Sequence, residues 1–149
     1  MQTGRGLRSI ARGSLSVFAV AVLACQGEDE SPEQAMTMAG VRIVAPEGAT
    51  EIMGSNVEIR LEVDGLDVVP AGTQQANSGH HHLFVDTDLT PVGSPIPADQ
   101  PGIIHMGDAS TSRVLENLSS GEHRIIAVLG DHLHVRLPVA TDTVTIVVP

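Results

Sequence analysis

The chain has no lysine, no tryptophan and no tyrosine, and its 149 residues include one cysteine and two phenylalanines. Each shortage removes a class of function. A single thiol cannot close an intramolecular disulfide or build a multi-cysteine metal site. With so few aromatic faces, bases and sugar rings have no stacking platform, so neither nucleic acid nor carbohydrate is expected as a partner. Eight arginines face 18 acids, a formal net charge of −10, which repels phosphate backbones. Long apolar runs are missing too. The longest lies near the start, Leu15 to Leu23, about half of what a membrane-spanning helix needs.

That run belongs to a leader. Arg5, Arg8 and Arg12 precede it with no acid between, and it ends at Ala24-Cys25, the anatomy of a secretory signal peptide over residues 1–24. "VLAC" resembles the bacterial lipobox, which implies cleavage before Cys25 and acylation of its thiol. The acyl chains would then hold the protein to a membrane without threading it through. Gln26 follows the cysteine instead of the aspartate associated with inner-membrane retention, so the resemblance implies an exported, outer-membrane lipoprotein facing the periplasm or the surface. Processing would leave five arginines against 18 acids, a balance of −13, and Phe84 as the sole aromatic of the FWY set. Residues 25–40 are acidic, polar and aperiodic, and read as a flexible linker.

From residue 41 to 149 the pattern changes to short alternating runs. "VRIVAP", "NVEIRLEVDG", the stretch from His80 to Asp86, "PGIIHM", "TSRVLENL", "EHRIIAVL" and "TDTVTIVV" read as strands, bounded by Gly, Pro, Asn and Asp. No stretch carries an amphipathic helical period. The expected fold is all-β: one immunoglobulin-like β-sandwich domain of about seven antiparallel strands.

The histidines carry the chemistry. Seven of them fall between positions 80 and 134. With strands reversing direction in sequence order, "GHHHLFVDTD" starts at the pole where "PGIIHM" ends and "GDHLHV" begins, so six histidines and Met106 are expected together. Along a strand, side chains alternate. His80 and His82 then point outward as a pair while His81 joins Leu83 and Val85 in the core, although Phe84 shares the face of the pair. In "HLHVRL", His132 and His134 form a second pair. Two such pairs suit zinc or copper, because neutral imidazole ligates both. The candidate ligands are His80, His82, His105, His132 and His134. Met106 would add a thioether and favour reduced copper. His81 is expected as a buried brace and His123, in "SSGEHRI", as a hydrogen-bonded structural residue at the opposite pole. Asp86 and Asp88 read as turn formers.

Two other readings compete with metal binding. In one, the domain is a non-catalytic structural or interaction module contacting another envelope protein, and its histidines only hold loops. In the other it is an enzyme; but Ser119 and Ser120 beside His123 lack a strand-turn-helix elbow, no nucleophile, base and orienter form a set, and no catalytic residue is expected.

"GHHHLFVDTD", "PIPAD", His105 before a glycine and "SSGEHRI" together resemble the bacterial domain of unknown function 4399 family over about residues 41 to 148. The matching positions are His80, His81, His82, Asp86, Pro97, Asp99, His105, Gly121 and His123, with Met106 standing where an aromatic is expected. The resemblance implies a small exported all-β envelope domain and assigns no reaction.

Overall fold

In the computed structural model, residues 38–48 and 50–149 are described; the signal peptide, Cys25 and most of the linker lie outside them. The described residues form nine strands and no helix: β1 (Gly40–Ala45), β2 (Thr50–Glu51), β3 (Val57–Asp64), β4 (Asp67–Val68), β5 (Ser78–Val85), β6 (Ile103–Met106), β7 (Ser112–Leu115), β8 (Gly121–Gly130) and β9 (Asp142–Val148). The protein is all-β. All seven strands expected from the alternating runs are present, and β2 and β4, each two residues long, are too short to leave a period in the sequence.

The strands divide into two sheets. One runs β1-β3-β7; the other runs β2-β9-β8-β5-β4, with β6 also on β5. The long pairings are antiparallel, as expected, whereas β2 on β9 and β4 on β5 are parallel. Alternate residues of both sheets meet in one core: Val57, Ile59, Leu61 and Leu115 from the first, Leu83, Met106, Ile125, Ala127, Leu129, Val144 and Ile146 from the second. This is a sandwich-like arrangement, with "NVEIRLEVDG" keeping its charged residues outside, where Arg42 bridges Glu62 and Asp64 across β1 and β3.

Strand β5 and the later half of β8 in the larger sheet are buried on both faces, and that positions the site. The outer face of this sheet carries a second apolar layer: Phe84 of β5, Ile126 and Val128 of β8, and Ile96 from the β5–β6 connection, with Leu89 and Ile103 packed against them. The connection is laced to the segment after β8, since the Ile96 amide donates to the His134 carbonyl (2.7 Å) and the Arg136 amide to the Ser94 carbonyl (3.0 Å). Strand β5 is therefore buried along almost its whole length, and its continuous "HHHLFV" run reflects cover on both sides.

Candidate metal centre

Alternation along β5 sends His81 and Leu83 towards the inter-sheet core and His80, His82 and Phe84 towards the outer layer. Phe84 thus shares the histidine face because that face is itself packed. His80 and His82 do not point into solvent as the strand pattern suggests; each is 1% exposed. The register then adds partners. His105 of β6 lies directly across from His82, and Gly130 of β8 directly across from His80. Immediately beyond Gly130 the chain turns and delivers His134.

Four imidazoles meet there. One ring nitrogen from each of His80, His82, His105 and His134 lies within 4.8 Å of the other three. Two contacts are close: Nε2 of His82 to Nε2 of His80 at 3.0 Å, and Nε2 of His134 to Nε2 of His105 at 3.2 Å. Nitrogens bound tetrahedrally at zinc distances stand about 3.3 Å apart, so small ring movements suffice to close on one ion. Among the described residues, no carboxylate or thiol joins the group.

The remaining sequence candidates lie elsewhere. His132 is not part of the group. It and His134 do not form a strand pair, because Asp131 to His134 is a turn: the His134 amide donates to the Asp131 carbonyl at 2.9 Å, and His134 adopts a φ of +60°. Met106 is fully buried in the inter-sheet core, one residue out of phase with His105. His81 is in the core, with Nδ1 donating to the Ser110 carbonyl at 3.0 Å.

Several features escaped the sequence reading. Asp131 ties the turn, its Oδ1 accepting from the amides of Leu133 (2.8 Å) and Val135 (2.9 Å); "GDH" after an apolar strand is an aspartate-turn signal that could have revealed it. Glycines make room for the rings. A Cβ on Gly107 would lie 2.4 Å from Cε1 and 2.6 Å from Nε2 of His105, and one on Gly130 would lie 3.0 Å from Nε2 of His82. Nothing in sequence spacing signals these approaches.

The electrostatics favour neutral rings. Burial, reinforced by the neighbouring histidines, pushes His80 down to about 4 and His82 down to about 3. His105 is lowered as well, by burial and then by His134. Neutral imidazoles present lone pairs, so a cation need not displace protons from these three at neutral pH. The Nδ1 of His82 is buried with no hydrogen-bond partner, a departure from the usual ligating histidine, whose second nitrogen is held by an acceptor.

The histidine at the opposite end behaves in the reverse way. His123 is 7% exposed, its Nδ1 donating to Asp86 Oδ2 at 2.6 Å and its Nε2 to the Ser119 carbonyl at 2.8 Å. Both nitrogens face acceptors, and the Ser119 carbonyl and Asp86 raise its pKa. Ser119 Oγ stands 3.4 Å from Nε2, which lines up serine, histidine and aspartate. With the Nε2 proton committed to the carbonyl, however, the ring has no lone pair to take a proton from the hydroxyl. Asp86 also accepts from the Arg124 amide, and Asp88 pairs with the Arg124 guanidinium, so both acids of "VDTD" are engaged in holding β5 to β8.

Fold and site together define a small all-β domain with a four-histidine group set into the covered face of its larger sheet. Residues 59–149 match the family described as Domain of unknown function (DUF4399), and the chain belongs to that family. No curated protein and no solved structure matches the chain.

Proposed function

We propose that this protein is a lipid-anchored domain of the cell envelope that binds zinc or copper through His80, His82, His105 and His134. The observation that carries the reading is the convergence of four imidazole nitrogens from three separate segments within 4.8 Å, with no acid among them. Imidazole nitrogens suit zinc, copper and nickel and are poor ligands for calcium or magnesium, which take oxygen. Withdrawing two histidines from water and setting them edge to edge gains little unless something binds between them. The envelope location rests on the arginine-led apolar leader and Cys25, and the acyl chains of that cysteine would be the anchor.

One observation favours the alternative, a structural or interaction module. The two close nitrogen contacts can each be a hydrogen bond between neutral rings, fastening β5 and the turn at His134 without an ion. The buried His82 Nδ1 is unpaired in either arrangement, so the number of rings decides: pairwise hydrogen bonds supply no reason for four where two would do.

The test is a titration of the purified chain with Zn²⁺ and Cu²⁺, followed by calorimetry and by the imidazole NMR signals. One ion per chain is expected, with responses at His80, His82, His105 and His134 and none at His123. The absence of any site-specific response below about 100 μM would overturn the proposal.

A further inference from the structure

We propose that Asp131 positions His134 and supplies the negative charge that makes the four-histidine group a site for a divalent ion in preference to Cu⁺. The inference rests on the metal-binding reading above. Residue 131 makes four hydrogen bonds within one turn: its amide to the Val135 carbonyl, its carbonyl from the His134 amide, and Oδ1 from the amides of Leu133 and Val135. These bonds fix the backbone on both sides of His134, which holds a left-handed φ of +60° that a β-region strand would not impose. The Ile96 amide on the His134 carbonyl secures the other side. Two of the four bonds come from the carboxylate, so without it the aim of this imidazole at His105 rests on the main-chain bonds alone.

Charge supplies the second half of the argument. Four neutral imidazoles leave the full charge of a bound ion uncompensated, and moving a charge into a low-dielectric interior costs energy that rises with its square. A divalent ion therefore suffers far more than Cu⁺ unless an anion stands near. The charged groups around the site do not contribute equally. At His105, Asp108 and Arg113 act in opposite directions. Asp131 follows Gly130, which faces His80 across the sheet, and shares its turn with His134. Asp131 thus brings a carboxylate into the turn that carries a ligand without itself ligating.

Two variants of the full chain separate position from charge. Asp131→Asn keeps an Oδ1 that accepts both amides and removes the charge; Asp131→Ala removes both. Affinities would be measured by competition, for Zn²⁺ in air and for Cu⁺ under anaerobic reducing conditions. Asp131→Asn is expected to bind Zn²⁺ about 10-fold more weakly while holding Cu⁺ nearly as the unmodified chain does, with the same Co²⁺ absorption spectrum. Asp131→Ala is expected to lose affinity for both ions and to change that spectrum. An unchanged ratio of Zn²⁺ to Cu⁺ affinity in Asp131→Asn would overturn this inference alone. An unmodified chain that binds neither ion would overturn the metal-binding reading, and this inference with it.

Discussion

His80 and His82 are polar side chains with 1% exposure each, joined to one another and to no carboxylate, backbone or arginine. Removing one of them strands the other, whereas removing both removes the problem. The single change His82→Ala is expected to destabilise the metal-free chain by about 1–3 kcal/mol. The double change His80→Leu with His82→Leu is expected to leave stability level or raise it by about 1 kcal/mol, because two apolar groups of similar size then meet the Phe84 layer. Urea unfolding in the presence of a chelator at pH 7.5 measures both. The same double variant checks the sign of the acid response. The two rings titrate at about 4 and about 3 in the fold and near 6.5 when unfolded. Below pH 6.5 the unfolded chain therefore takes up protons that the folded one refuses. Their stability contribution is complete above pH 6.5 and drains away as pH falls towards 4 and 3. Urea midpoints of the unmodified chain should drop across that window, and those of the double variant should drop less.

At the scale of elements, β5 is the spine of the site: its odd-numbered residues from His81 pack inward and its even-numbered residues build the outer layer. Phe84 is fully buried there, and Phe84→Ala is expected to cost about 3–5 kcal/mol in urea unfolding. Strand β6 contributes His105 against the bare backbone of Gly107. A methyl group there would push on the ring at 2.4 Å, and since Gly107 has no left-handed φ, Gly107→Ala leaves the chain free to fold. Zinc affinity is expected to fall about 10-fold or more with little change in the urea midpoint, a split that calorimetry and unfolding together resolve. How much of this the sequence made legible follows from the same elements. The seven strands and the opposed faces of His80/His82 and His81 came from a two-residue period, which is local. The cover over β5 did not, because it is laid down by residues 89–96, whose bonds run to residues 134–136. For the same reason His134 was legible as a candidate but not as the end of a turn, and Met106 looked available although the register of β6 sends it into the core.

Over the whole molecule, two histidine sites at opposite ends of β5 bend the stability profile in opposite directions. His123 has its pKa raised, so its contribution is complete below about pH 6.5 and is lost as pH rises through the folded value. In the partner carboxylate, Asp86, burial acts upward, but the hydrogen bonds from His123 and the Arg124 amide hold it below the usual range. His123→Gln should therefore flatten the alkaline side of the profile and leave the fall below pH 6.5 in place, which urea midpoints from pH 5 to 9 would show.

Metal lifts the profile wherever the ligating rings are neutral. A ligand that binds the folded chain alone adds about 2.7 kcal/mol at a hundred times its Kd, on the order of 10 °C in Tm for a domain of this size. Because His80, His82 and His105 are all held below the ordinary histidine value, binding displaces few protons. Four unperturbed imidazoles would release about two protons at pH 6.5; this site is expected to release fewer. Calorimetry in two buffers of different ionisation enthalpy counts those protons directly, and a count near two would mean that the rings reach solvent before the ion arrives.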